Sequence, residues 1–233
     1  MTFENFSGFL EELTAAFGAR FSLKPCPLGD QSCMRWPKGL PLMRFAVHQY
    51  TVPGYGNLFG MNTVAMGGLM RLATFVCTPN EGTQVPLLLV DVMAMGKKRA
   101  VFIEYYDCTS AGAEMPKLIQ VANRYANISD YPEKPAWYLQ ERTHYSLIKG
   151  GTDEAALTQM LKESVCAYVE ECSLHAEPDN ANREKLKVFA DRMVRDGNPS
   201  SATLQRVLGK NGAETFFRTH VMPVIFETDS LKN

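Results

Sequence analysis

The chain has 233 residues, of which 45% are hydrophobic, and a formal net charge of −1 at pH 7. This length allows one large domain with a substantial core, or two small ones. A net charge near zero produces no global electrostatic field that would attract the protein to nucleic acid or to a membrane surface, so neither is expected as a partner. No run reaches the roughly 18 consecutive apolar residues of a transmembrane helix, and the N-terminus lacks the features of a signal peptide.

The six cysteines and four histidines are scattered along the chain. The cysteines form no C-x-x-C pair, and no cluster of histidine and cysteine has zinc spacing. We therefore expect reduced thiols, no metal site and a cytoplasmic location. The glycines of Gly54–Gly60 lack the full G-x-G-x-x-G spacing, so the chain has no dinucleotide-binding fingerprint.

The first half of the chain is predicted to be mainly β-structure. A helix is expected at Phe3–Phe17, where apolar residues recur at helical spacing. Lys24–Pro41, rich in proline, glycine and cysteine, is predicted to be irregular. Strands are predicted at Met43–Tyr50, Leu69–Cys77, Leu87–Met95 and Ala100–Asp107. Their short, turn-like connections favour an antiparallel meander over βαβ units.

The second half is predicted to be mainly helical. Helices are expected at Glu114–Ile128, from Thr152 or Asp153 to Cys172, and at Asn182–Asp196, Ala202–Leu208 and Ala213–Val221, with one further strand at His144–Lys149. Strands followed by amphipathic helices predict an α+β fold, an α/β/α sandwich with a central, largely antiparallel sheet. We expect residues 1–233 to form a single domain.

Asp91 lies inside the apolar run Leu87–Met95, which is typical of a strand buried on both faces. Burial disfavours the carboxylate and raises its pKa unless a cation or N–H donors compensate. An acid that stays protonated near neutral pH can donate a proton. The other interpretation is an aspartate that caps local backbone or points to water from an edge strand.

Several stretches, taken in order, resemble a known family. They are Thr74-Phe75-Val76-Cys77-Thr78-Pro79, Val85-Pro86-Leu87-Leu88-Leu89-Val90-Asp91, Tyr106-Asp107-Cys108-Thr109, and the tail from Arg206-Val207-Leu208 through Gly212-Ala213-Glu214-Thr215-Phe216 to Pro223-Val224-Ile225-Phe226. Their order and spacing are similar to those of the ferredoxin-dependent bilin reductases. The red chlorophyll catabolite reductases look similar over the same strands. The resemblance covers Met43 to Phe226.

This resemblance implies an antiparallel sheet between helices that holds a linear tetrapyrrole against the C-terminal helices. It implies no flavin or metal, electrons delivered singly by ferredoxin, and protons supplied by side chains. Asp91 falls on the position of the family's proton-donating aspartate. This match agrees with the burial argument, which was made without it.

Other positions depart from the family. Thr74 stands where the family often has histidine or asparagine, Asn62 lies near a glutamate used by some members, and Ser201-Ala202 replaces an Asn-Asp pair. By resemblance Thr74, Asn62 and Ser201 are candidate substrate-binding residues, although Thr74 also suits an ordinary β-strand. Neutral groups thus replace the usual helpers of the aspartate.

Three functions stay open from the sequence. The first is a ferredoxin-dependent reductase of a linear tetrapyrrole, and the second is a non-catalytic tetrapyrrole-binding or carrier protein. The third is a domain unrelated to tetrapyrroles that shares the sheet. The basic hairpin tip Lys97–Arg99 would steer an acidic ferredoxin, or it serves solubility.

Overall fold

A computed structural model describes residues 1–37, 42–80, 83–108, 114–174 and 180–230, with backbone only at 174, 180–183 and 227–230. Eight strands of the described chain form one sheet in which all pairings are antiparallel. They are β1 (Lys24–Pro25), β2 (Cys33–Trp36), β3 (Met43–Val52), β4 (Gly56–Ala65), β5 (Met70–Pro79), β6 (Leu87–Met95), β7 (Lys98–Tyr106) and β8 (Leu147–Gly151). The order across the sheet is β1-β3-β4-β5-β6-β7-β8, and β2 also pairs with β3.

Two groups of helices cover the two faces of this sheet. The helices are α1 (Phe6–Gly18), α2 (Pro116–Arg124), α3 (Glu154–Leu174), α4 (Asn180–Arg195), α5 (Ser201–Phe216) and α6 (Pro223–Ser230), and a π-helical turn, Phe217–Val221, joins α5 to α6. One apolar core lies between the sheet and α1–α3, and a second lies between the sheet and α4–α6. The expected α/β/α sandwich is confirmed.

The central strand β6 is buried on both faces, as its apolar sequence predicts. Leu88, Val90 and Val92 contribute to the core with α1–α3, whereas Leu87 and Leu89 contribute to the core with α4–α6. Side chains alternate between the two faces of a strand, so Asp91 points toward α4–α6.

Strand β4 was not predicted from the sequence, so the predicted meander lacked a strand that the structure contains. Two glycines and two asparagines within Gly56–Ala65 weaken the β-propensity that the prediction used. Gly60 has a packing role, because a Cβ there would lie 3.3 Å from Leu10 Cδ1 of α1. Helix α1 therefore sits close to the backbone of β4.

The prediction of an irregular segment at Lys24–Pro41 was partly wrong. It contains β1 and β2, which both pair with β3, and its last four residues lie outside the described residues. Elsewhere the predicted elements are present, most of them with shifted ends. Helix α1 begins three residues later than predicted, because the Asn5 side chain accepts a hydrogen bond from Gly8 N and caps it. The two predicted short helices after Ala202 correspond to the two parts of α5, which are separated at Gly209, where the backbone leaves helical geometry. The second part continues into the π-helical turn Phe217–Val221.

Candidate functional site

Asp91 and Thr74 face each other across the central strands β6 and β5. Both side chains are buried on the sheet face that α4–α6 cover. The Thr74 hydroxyl Oγ1 donates to Asp91 Oδ1 at 2.5 Å. Two of the candidate residues from the sequence are thus in direct contact.

Burial raises the pKa of Asp91 from its usual 3.8 to about 6, and the hydrogen bond from Thr74 opposes this rise. The carboxyl therefore keeps its proton to a higher pH than an exposed aspartate does. Such a group has the acidity that a proton donor needs. The edge-strand interpretation of Asp91 does not hold, because β5 and β7 pair with β6 on both sides.

A small apolar cavity of about 30 Å³ adjoins Asp91. Side chains from β4, β5 and β6 line one side of it, and α4, α5 and the Asn198–Ser200 segment line the other. Among the described residues that line it, Asp91 is the one ionisable group. In this conformation the cavity accommodates no more than about one or two water molecules.

A larger cavity of about 430 Å³ lies next to it, between α4 and α5. Asn198, Leu204 and Phe217 line both cavities and separate them. The larger one carries the cationic side chains Arg195, Lys210 and Arg218 and the acidic side chains Asp191 and Glu214. The Arg218 guanidinium is 3.3 Å from a carboxylate oxygen of each of these two acids.

Ser201 lines the larger cavity and not the one beside Asp91. Its hydroxyl accepts a hydrogen bond from Asn198 N at 2.6 Å, at the start of α5. Ser201 therefore does not contact the Asp91 cavity. Its neighbours Asn198, Pro199 and Ser200 reach the Asp91 cavity instead.

Asn62 does not join Asp91, which corrects the grouping drawn from the sequence. It lies on β4 opposite Ala73, and this cross-strand row faces α1–α3. The neighbouring Met61 is paired with Thr74 and lines the Asp91 cavity. Because successive side chains alternate between faces, a one-residue difference in register moves a side chain to the other side of the sheet.

Sequence reasoning missed a second buried acid on the same face, Glu104 of β7. Its carboxylate oxygen Oε1 accepts hydrogen bonds from Tyr106 Oη at 2.8 Å and from Arg142 Nε at 2.5 Å. Burial raises the pKa of Glu104 to about 7, although Arg142 opposes the shift. The signal that picked out Asp91, an acid inside a β-rich run, was also present here.

The described residues contain no group of three or more histidine, cysteine, aspartate or glutamate side chains placed to hold a metal ion. Among the same residues, no helix combines the length and apolar character needed to cross a bilayer.

Comparisons with known proteins find similarity among solved structures. No protein-family model matches the chain, and no curated protein matches it in sequence. Among solved structures it is similar to phytochromobilin synthase from tomato, crystallised in complex with biliverdin. The TM-score is 0.80 at 10% sequence identity, and the alignment covers 96% of this chain and 84% of that one. Phytochromobilin synthase is a ferredoxin-dependent bilin reductase, so the resemblance drawn from the sequence is confirmed at the level of the fold. The chain has the fold of the ferredoxin-dependent bilin reductases.

Proposed function

We propose that this protein binds a linear tetrapyrrole between the sheet and helices α4–α6 and reduces it, with Asp91 as a proton donor. The observation that carries the proposal is the position of Asp91, a buried carboxyl with a pKa of about 6 and the one ionisable group among the described residues lining its cavity. The similar tomato protein was crystallised with biliverdin, a linear tetrapyrrole, which makes this ligand class the first choice.

The lining of the cavity suits such a ligand. Phe59, Met61, Leu89 and Met193 offer apolar and polarisable surface to flat pyrrole rings. Asp91 would accept hydrogen bonds from pyrrole N–H groups when ionised and would donate a proton when neutral. In the neighbouring cavity Arg195, Lys210 and Arg218 are cationic groups that would pair with the carboxylates of a tetrapyrrole.

Binding requires α5 to move. Small-molecule pockets usually have volumes of roughly 300–1,000 Å³, and the Asp91 cavity holds about 30 Å³. The neighbouring cavity of about 430 Å³ reaches that range. Displacing Leu204 and Asn198 would join the two, and the break in α5 at Gly209 provides a place where its first half can pivot.

Reduction of one double bond consumes two electrons and two protons. We propose that reduced ferredoxin supplies the electrons one at a time, and that no tightly bound flavin or metal takes part. Lys97 and Lys98 at the β6–β7 hairpin form no ion pair with any described residue, so they are available to an acidic electron donor. Arg99 of the same tip is paired with Glu154 at 2.6 Å.

A non-catalytic tetrapyrrole carrier on the same fold is the second candidate. The observation that favours it is the neutral partner of Asp91, since Thr74 holds the carboxyl in place but has no proton to exchange near neutral pH. A carrier needs the apolar cavity and the hydrogen bond to the ligand, and it needs no proton source.

Two titrations test the proposal and separate the candidates. Purified protein is first mixed with biliverdin, and binding is followed by the visible spectrum. The complex is then supplied with reduced ferredoxin under anaerobic conditions. A reductase gives a new, stable product spectrum, whereas a carrier keeps the spectrum of bound biliverdin. An unchanged biliverdin spectrum in the first titration would reject both.

A further inference from the structure

The reduction proposed above needs two protons for each double bond, and the Asp91 cavity offers one ionisable group among the described residues that line it. After Asp91 has donated its proton, the buried carboxylate must be protonated again before it can donate a second time. The apolar walls and small volume of the cavity keep bulk water away from it. A second source of protons close to Asp91 is therefore required.

Glu104 is the nearest acid on the same face of the sheet by strand register. It pairs with Leu89 across β6 and β7, and Asp91 pairs with Phe102, so the two acids are diagonal neighbours. Diagonal pairs of this kind have Cβ atoms roughly 7–8 Å apart or slightly less. Glu104 is 2% exposed, so its carboxyl is as sheltered as that of Asp91.

The contacts of Glu104 suit a group that gives up a proton. Tyr106 and Arg142 both donate to Oε1, so a proton on this carboxyl belongs on Oε2. When that proton leaves, the guanidinium of Arg142 and the hydroxyl of Tyr106 stabilise the carboxylate that remains. Arg142 is itself held by a bidentate pair with Glu133, at 2.6 and 2.7 Å.

We infer that Glu104 is the proton reserve of the site and returns a proton to Asp91 between the two electron transfers. The proton leaves Glu104 Oε2 and joins the Asp91 carboxylate; one O–H bond breaks and one forms, and no electron moves. The two electrons come from the one-electron donor of the proposed reaction. Glu104 acts through Asp91 and is a positioning residue, and the inference rests on the proposed function.

The charged and titratable groups around Glu104 are consistent with this role. Asp91 faces it from β6, Tyr106 from β7, and Tyr138 and Arg142 from the segment before β8, while Phe189 of α4 covers Tyr106 with an apolar ring. Like-charge repulsion from Asp91 raises the pKa of Glu104, and Arg142 opposes this rise. Their protons are therefore released as those of a coupled pair.

Infrared spectroscopy of the ligand-free protein tests the coupling without any substrate. The bands of protonated carboxyl groups are followed against pH in the wild-type protein, in Asp91→Asn and in the control Glu133→Gln. The control perturbs Arg142 from its outer side and keeps both inner carboxyls. We expect a two-step titration in the wild-type protein and the control. In Asp91→Asn we expect a single step for Glu104, shifted to lower pH, because the negative charge of Asp91 is gone. An unmoved Glu104 midpoint in Asp91→Asn would overturn the inference, whatever the ligand proves to be.

Single-turnover reduction of bound biliverdin tests the role itself. In Glu104→Gln we expect the first electron and proton to be taken up at the wild-type rate, and the second protonation to slow on the order of 10- to 100-fold, less than for loss of a group that contacts substrate. Glu133→Gln should follow the wild-type course. A second protonation in Glu104→Gln that is as fast as in the wild-type protein would overturn the inference. If neither the wild-type protein nor any variant reduces biliverdin, the proposed function is overturned. The infrared result would still decide whether the two acids are coupled.

Discussion

Thr74 and Asp91 meet across the two central strands, and the hydroxyl of Thr74 donates to Asp91 Oδ1 at 2.5 Å. This bond favours the ionised carboxyl, whereas burial favours the neutral one. The pKa of about 6 shows that burial is the larger effect. Thr74 thus adjusts the acidity of Asp91 and fixes its position, and the proton comes from Asp91.

Replacing Thr74 with valine should raise the pKa of Asp91 further. Valine has nearly the same shape but donates no hydrogen bond, so the carboxylate loses its stabilising partner. At pH 8, where Asp91 is ionised, we expect the free energy of unfolding to fall by about 1.5–3 kcal/mol, the usual contribution of a hydrogen bond to a charged group. Urea unfolding and infrared titration of Asp91 measure the two effects.

Thr63→Val is the matched control for that substitution. Thr63 is buried on the same face of the sheet, and its hydroxyl has no hydrogen-bond partner among the described residues. Its replacement should leave the titration of Asp91 unchanged and should not destabilise the protein. Equal titration midpoints in Thr74→Val and the wild-type protein would contradict the role given to this hydrogen bond.

Asp91→Asn should stabilise the protein at high pH. The folded-state pKa of Asp91 lies above its unfolded value, so the folded protein holds this proton more tightly and loses stability as the pH rises from about 4 to about 6. A shift from 3.8 to about 6 corresponds to about 3 kcal/mol. Asparagine avoids this loss and still accepts the hydrogen bond from Thr74. Urea unfolding should therefore show the variant more stable than the wild-type protein at pH 8 and similar to it near pH 4; a variant that is less stable at both would indicate a structural aspartate.

Leu204→Ala tests whether the two cavities become one when the ligand binds. Leu204 is 3% exposed and lines both cavities, so its truncation should cost about 2–5 kcal/mol of unfolding free energy. It should also strengthen biliverdin binding on the order of tenfold, because the ligand no longer has to displace this side chain. Spectroscopic titration gives the affinity.

The exposed Val188 of α4 supplies the control, since Val188→Ala should change stability by less than about 0.5 kcal/mol and leave the affinity unchanged. Weaker binding by a folded Leu204→Ala variant would exclude this entry route.

The sequence predicted those elements whose hydrophobic pattern matches their burial in the fold. The run Leu87–Met95 is apolar on both faces because both faces are buried, and its ends match β6. The prediction failed at β4. Glycine and asparagine are tolerated there because α1 packs closely on one face, and β-propensity does not include this tertiary effect. Without β4 the register of Asn62 was unknown, and its side chain was grouped with the wrong face of the sheet.

The candidate site was predicted only in part, because some of its contacts depend on tertiary structure. The contact between Thr74 and Asp91 followed from two neighbouring strands that were both recognised. Glu104 lies inside a strand that was also recognised, but its partner Arg142 is 38 residues further along the chain. A contact of that sequence separation depends on how the segment before β8 folds over the sheet, which no local pattern reports.

The most direct test of proton donation by Asp91 is anaerobic reduction of bound biliverdin in Asp91→Asn. This variant keeps the shape and approximate volume of the side chain, but it has no acidic proton. We expect it to fold, to bind biliverdin and to accept the first electron, and then to stall as a long-lived ligand radical detected by visible and electron paramagnetic resonance spectra. Turnover should fall by roughly 10²–10⁴-fold, the usual contribution of a positioned general acid. Turnover equal to that of the wild-type protein would contradict the assignment of Asp91 as proton donor.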